Sequence, residues 1–448
     1  MTEQSRGRPA SAVSLSIRHA VVVTCDGPEG SGTRARLGVV EDGAVVAAEG
    51  VVTYVGPAAG APSPAVDERV IDGRGAVVYP GLVDPHTHLV FAGSRVDELG
   101  RKLAGEDYRA IAAGGGGIAA TVRATRAASD EALRASARAR ARALRATGAT
   151  TVEVKSGYGL TVEDELRLLR VARALDEERV VRTSPTLLGA HAVPPERRQD
   201  RARYVAEIVE EMIPRAARER LCDAVDVYCD EGAFDLAETR AILEAARARG
   251  LGVKAHVGQF RDLGGAGLLA ELGALSADHL EEASEEDLRA LARAGTVAVL
   301  LPGAWRTLRQ RPPDAARLRA CGVTVAVGTD CNPGTSPMLD LPLAAALAAR
   351  DAGLTLEEAV LAVTANAGRA IGRPETGRIA VGAPADLAVF DGDDARLLAY
   401  ALGGLRPRLV VLGGYVVESG AGDGRGGAGG PSPGVPGSPP AHAGTALW

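Results

Sequence analysis

The sequence predicts an α/β protein: a (β/α)8 TIM-type barrel with a small β-sandwich built from both chain ends. Three observations lead there. Eight apolar, strand-like runs alternate with Ala/Leu/Arg/Glu stretches of helical period between residues 80 and 373, the pattern of βα units around a parallel sheet. Residues 16–79 and 374–418 instead hold short strands separated by Gly, Asp and Pro, without helical period. Five of the seven histidines stand at or just past the ends of the barrel runs, on the rim where such barrels gather reactive groups. Counting runs alone also admits a doubly wound open sheet.

In chain order, residues 1–15 read as a disordered N-terminus. Strands are expected at 20–24, 37–40, 44–47, 51–55, 70–71 and 76–78, with Glu41-Asp42-Gly43 as a turn. The barrel runs follow at 77–88, 150–155, 180–188, 224–229, 251–257, 274–279, 296–301 and 323–329. Between them lie helices at 130–146, at 162–175 behind a Thr161-x-x-Asp164 capping signal, and at 235–249 before Gly250. Strands return at 378–380, 386–390, 409–412 and 415–418. They rejoin the N-terminal unit, because each half alone is too small to close a core. The glycine run 114–117 lacks the Walker and dinucleotide spacings and reads as a flexible loop. The Gly/Pro/Ser-rich stretch 419–448 reads as a disordered tail.

Composition narrows the function. A chain of 448 residues that is 46% hydrophobic is globular. With 51 Lys+Arg against 57 Asp+Glu, nothing predicts a nucleic-acid partner or an anionic-membrane surface. No apolar run nears the roughly 18 residues that span a bilayer, and residues 1–20 are too interrupted for a signal peptide. A soluble cytoplasmic protein is expected. The five cysteines are scattered without a C-x-x-C pair, which argues for reduced thiols over a disulfide framework or zinc knuckle.

The chemistry-bearing residues converge on one rim. In His86-Thr87-His88, residues i and i+2 of a strand face the same side, so both imidazoles look into the barrel mouth. His256 ends the fifth run, His279 the sixth, and Asp330 follows the eighth. His86, His88, His256 and Asp330 would hold one divalent metal and leave a position for water. Two metals bridged by a modified lysine are disfavoured. The fourth run has no lysine, Lys155 ends the second, and Lys254 lies deeper than His256. Arg95, on the loop after His86-Thr87-His88, offers a fork for a carboxylate. Tyr158, in Lys155-Ser156-Gly157-Tyr158-Gly159, brings a phenol to the second loop. Asn332, Gly334 and Thr335 add an amide, a backbone N–H and a hydroxyl.

Pro80-Gly81-Leu82-Val83-Asp84-Pro85-His86-Thr87-His88, with Gly382-Ala383-Pro384-Ala385-Asp386-Leu387, resembles the metal-dependent amidohydrolase superfamily. Within it, three longer segments resemble the imidazolonepropionase family of histidine degradation: residues 86–95, 153–159 and 329–335. The likeness spans roughly residues 20–418. It implies one Zn2+ or Fe2+ on His86, His88, His256 and Asp330, in a homodimer. It implies substrate contacts from Arg95, Tyr158, His191, Gln259, Asn332, Gly334 and Thr335. Some members carry Glu where this chain has Gln259, whose amide can only donate and accept hydrogen bonds. The expected reaction is hydrolysis of the ring amide of 4-imidazolone-5-propanoate to N-formimidoyl-L-glutamate. Asp330 or His279 would carry the proton, and Gln259 would assist at the ring. Alternatives are another mononuclear amidohydrolase, such as an aminopurine or cytosine deaminase, or a metal-free scaffold.

Overall fold

The computed structural model describes residues 14–28, 30–106 and 116–419. Of the segments expected to be irregular, 1–13, 420–448 and glycines 114–115 lie outside the described residues. Leu15, placed in the N-terminal segment by the sequence reading, already begins a strand.

Among the described residues, sixteen strands form two sheets. The small sheet begins with β1 (Leu15–Val23), β2 (Val39–Ala48), β3 (Val51–Pro57), β4 (Arg69–Asp72) and β5 (Ala76–Pro80). The barrel contains β6 (Leu82–Asp84), β7 (Ala149–Lys155), β8 (Arg182–Ala190), β9 (Ala224–Cys229), β10 (Gly252–Val257), β11 (Ser276–His279), β12 (Val297–Leu300) and β13 (Val325–Val327). The chain then returns to the small sheet with β14 (Leu387–Asp391), β15 (Leu409–Leu412) and β16 (Tyr415–Ser419). β14 pairs antiparallel with β5, so the two chain ends share one sheet. Its apolar cluster draws Ile17, Val22 and Val78 from one end and Leu387 and Val411 from the other.

Three details differ from the sequence reading. The run at 77–88 divides in two: β5 serves the small sheet, and β6 starts the barrel. Gly81 is the joint, where a Cβ would lie 2.1 Å from Thr150 Oγ1, so the chain passes this close to Thr150 only because no side chain is there. Glu41-Asp42-Gly43 is no turn but the middle of β2, where Gly43 sits opposite Ala20 at a bulge in β1. His19, with φ 61°, makes that bulge, and β1 changes partner across it from β4 to β5. Residues 378–380 form no strand, because turns at Gly377 and Gly382 leave room for one sheet-like bond, Ile379 N to Thr24 O at 2.8 Å.

The barrel strands are all parallel, in order β6 to β13. Closure occurs at the rim. There Thr87 bridges Cys331, His88 N donates to Cys331 O at 3.0 Å, and Asp330 N donates to His86 O at 3.0 Å. Three of the barrel helices start at side-chain caps. Ser129 accepts from Ala132 N ahead of Asp130–Arg145, and Thr161 accepts from Asp164 N ahead of Val162–Glu177. Asp235 and Glu238 complete a capping box at Leu236–Arg247, satisfying N–H groups the helix cannot. Leu133, Ala137, Ala141 and Leu144 bury one stripe of the first of these helices, each fully buried leucine contributing about 1.5–3 kcal/mol. All five cysteines are free and buried. Among the described residues no helix is long and apolar enough to cross a membrane.

Candidate active site

The C-terminal ends of the barrel strands open into a cavity of about 640 Å3. Imidazoles form its floor. His86 and His88 follow β6, His256 lies on β10, and one ring nitrogen of each falls within 4.8 Å of the others. Asp330, three residues past β13, brings Oδ1 to 3.5 Å from His86 Nε2 and 3.6 Å from His88 Nε2. His256 Nε2 lies 3.4 Å from His88 Nε2. Barrel closure makes this possible, since the Asp330–His86 backbone bond joins the first strand to the last.

Two carboxylates aim these rings. Asp278 Oδ2 lies 2.6 Å from His86 Nδ1, and Asp226 Oδ1 lies 2.8 Å from His256 Nδ1. An ionised carboxylate can only accept, so Nδ1 carries the proton and Nε2 presents a lone pair. Burial holds His86, His88 and His256 well below the usual histidine range, which keeps them neutral as a metal requires. His86 Nε2 is buried without a hydrogen-bond partner among the described residues, and it looks toward the Asp330 carboxylate. Buried lone pairs gathered in this way fit a divalent cation.

Beneath the rings lies an ionic lattice. Lys155 Nζ stands 2.8 Å from Glu153 Oε1, 2.6 Å from Asp226 Oδ2 and 3.3 Å from Asp278 Oδ2. Lys254 Nζ donates to Glu153 Oε1 at 2.9 Å and to Pro85 O at 3.0 Å. Burial would strip the Lys155 proton, but Asp226, Glu153 and Asp278 outweigh it and hold the ammonium charged. Both lysines weighed as bridging groups are thus committed to carboxylates.

His279 ends β11 in the left-handed region, φ 80°, with its ring 5.5 Å from that of His256. Its Nδ1 is 3.6 Å from Glu281 Oε1. Burial alone would depress its basicity, but Glu281 and Asp330 reverse the balance and raise it. Burial pushes the Asp330 carboxyl up to about 7.

Arg95, Tyr158, His191, Gln259, Asn332 and Thr335 also line the cavity. Arg95 is held by Glu98, with Nε and Nη2 each 2.9 Å from Oε2. Tyr158 rides on a loop tied by Glu165, which accepts from Gly157 N at 2.8 Å, Gly159 N at 2.8 Å and Leu160 N at 2.6 Å. His191 stacks on His88, ring centroids 5.0 Å apart. Its Nδ1 donates to Gly157 O at 2.9 Å, and burial takes its pKa down to about 4, so Nε2 is left as an acceptor. Gln259 Oε1 accepts from Tyr228 at 2.9 Å.

Two of the expected contact residues also have local roles. The Asn332 amide builds its own loop, donating to Asp330 O at 2.7 Å and Thr335 Oγ1 at 3.0 Å and accepting from Gly334 N and Thr335 N, both at 2.8 Å. Gly334 makes room for Arg95, whose Nη1 would lie 2.0 Å from a Cβ there. Sequence reasoning missed Asp226, Asp278, Glu153, Glu281 and Tyr228. The signal for the first three is a carboxylate inside a buried strand, which is costly unless paired. Glu281 and Tyr228 carry no comparable signal.

Comparison with known proteins agrees with this geometry. A model of the amidohydrolase family matches residues 77–417. An imidazolonepropionase of Methylobacterium sp. (strain 4-46) is 52% identical over 369 residues, covering 82% of this chain and 92% of the relative. One from Rhizorhabdus wittichii is 51% identical over 370 residues, with the same coverage. Among solved structures, a triazine hydrolase variant superposes with a TM-score of 0.68 at 20% identity, covering 91% of this chain and 95% of that one. A zinc-bound adenosine deaminase of Xanthomonas campestris gives 0.65 at 22% identity, covering 91% and 93%; both show the shared fold. The chain belongs to the amidohydrolase family and, within it, to the imidazolonepropionases.

Proposed function

We propose that the protein hydrolyses the ring C–N amide bond of 4-imidazolone-5-propanoate, giving N-formimidoyl-L-glutamate in histidine degradation. The observation that carries this reading is the meeting of three neutral imidazoles and Asp330 on the floor of a cavity whose wall carries Arg95 and Tyr158. The half-identical relatives support it.

His86, His88, His256 and Asp330 would hold one zinc or iron(II) ion, which when bound brings the pKa of water toward about 7 and polarises a carbonyl. Arg95 and Tyr158 bind the propanoate carboxylate. His191 Nε2 accepts from a ring N–H, and Gln259 meets the other side of the ring. Asn332, Gly334 and Thr335 complete the wall that contacts the substrate. Asp330 takes the proton released by water and returns it to the departing ring nitrogen. His279, its Nδ1 turned toward Glu281, donates to the carbonyl oxygen as charge develops. The reading extends to a cytoplasmic homodimer, with the barrel over 80–373 and the β-domain over 16–79 and 374–418.

The test is to incubate the metal-loaded protein with the imidazolone and follow loss of ring ultraviolet absorbance, with product mass as the second readout. A gain of one water accords with the reading. An intact substrate, or release of ammonia, refutes it.

A further inference from the structure

On β9, Asp226 and Tyr228 stand two residues apart on the face toward the barrel interior. Asp226 holds His256, whereas Tyr228 has no part in the reaction above. Its ring meets His256 edge-on at 5.6 Å and His191 at 6.2 Å, which fixes the phenol beside the cavity. The hydroxyl donates to Gln259 Oε1 at 2.9 Å. The Gln259 backbone is equally committed: its N–H donates to Asp230 Oδ2 at 2.8 Å, and its carbonyl accepts from Gln310 Nε2 at 2.7 Å. Among the described residues, the polar group of Gln259 left over is the Nε2 amide, and Gln259 lines the cavity.

A free glutamine amide presents either its acceptor or its donor by a half turn about its last torsion. We propose that Tyr228 is a positioning residue for substrate recognition: its phenol, itself in the cavity wall, occupies the Gln259 carbonyl, so that this position offers the substrate the Nε2 hydrogen-bond donor. His191, also in contact with Tyr228, supplies the complement. Its Nδ1 is bound to Gly157 O, which leaves Nε2 to accept. One donor and one acceptor distinguish the two nitrogens of an N–C–N ring, one protonated and one bare. A ring with both nitrogens protonated would set an N–H against the Gln259 donor and bind poorly.

The inference rests on the reading of the site as one for a nitrogen ring bearing a carboxylate. Tyr228→Phe keeps the ring and removes only the hydroxyl. The expected result is a fall in kcat/KM of about fivefold, the worth of one neutral hydrogen bond, carried mainly by KM and with metal content unchanged. In a Gln259→Leu background the same substitution costs nothing further, because the hydroxyl acts through the amide. Equal losses in both backgrounds, which a merely structural role would give, or no loss in either, overturn the proposal.

A second measurement needs no substrate. The chain has four glutamines, Gln4, Gln199, Gln259 and Gln310, so glutamine-selective 15N labelling gives a sparse side-chain amide spectrum, and Gln259→Leu assigns the signal. The amide rotates slowly in the parent and is exchange-broadened in Tyr228→Phe; an unchanged signal overturns the proposal. If the parent leaves the imidazolone intact while the amide loosens in Tyr228→Phe, the assigned reaction falls and the positioning role stands.

Discussion

Replacing Gly334 with alanine attacks the carboxylate anchor without altering its chemistry. The new Cβ would fall 2.0 Å from Arg95 Nη1 and 2.7 Å from Cζ, about 1.5 Å inside the optimum separation of roughly 3.5 Å. The methyl cannot retreat easily, because Gly334 N is bonded to Asn332 Oδ1 at 2.8 Å. Alanine meets no backbone strain, since Gly334 is not among the residues of positive φ. The guanidinium must therefore move, against the grip of Glu98, which itself accepts from Gly117 N at 2.9 Å. A charged hydrogen bond is worth about 1.5–3 kcal/mol, so losing one raises KM about 10- to 150-fold. The change in kcat is smaller, because the carboxylate contact is similar in ground and transition states. Steady-state kinetics with parallel metal analysis measures this. In an Arg95→Ala background, Gly334→Ala adds nothing. A folded, fully metallated Gly334→Ala enzyme with unchanged KM would refute the reasoning.

Asp226→Asn should lower metal affinity about 10- to 100-fold by releasing the His256 ring; competition with a chelating dye measures it, and an unchanged affinity counts against the orienting role. Lys155→Met leaves Glu153, Asp226 and Asp278 short of a counter-charge, and about 3–5 kcal/mol of stability is expected to go, read from urea unfolding. Asp235→Ala removes one half of a capping box and should cost about 1 kcal/mol with kcat/KM unaffected. Metal at 100 times its Kd adds about 2.7 kcal/mol to the folded state, so chelation should lower Tm in calorimetry; a Tm indifferent to metal would deny the site its cation.

The eight barrel runs were legible because apolar strands and amphipathic helices alternate with different periods, a local property of the chain. Their boundaries were less so. Nothing local distinguishes β5 from β6, since both are apolar and extended; Thr150, some seventy residues on, demands that Gly81 between them carry no side chain. The histidines were marked by their place at strand ends. Asp226 and Asp278 escaped notice because a carboxylate in a buried strand acquires meaning only with a partner. Those partners, Lys155, Lys254, His86 and His256, come from other strands.

The chain on its own determined the alternation of strand and helix, the helix caps, the sharing of one sheet by both ends, and which residue types reach the rim. Tertiary structure alone decided which nitrogen of each imidazole carries the proton, why residue 334 is glycine, and that Asn332 spends its amide on its own loop. The physical reason is range. Periodicity and capping are settled within a few residues, whereas tautomers, ion pairs and close contacts depend on groups brought together only when the segment after β13 meets the segment after β6.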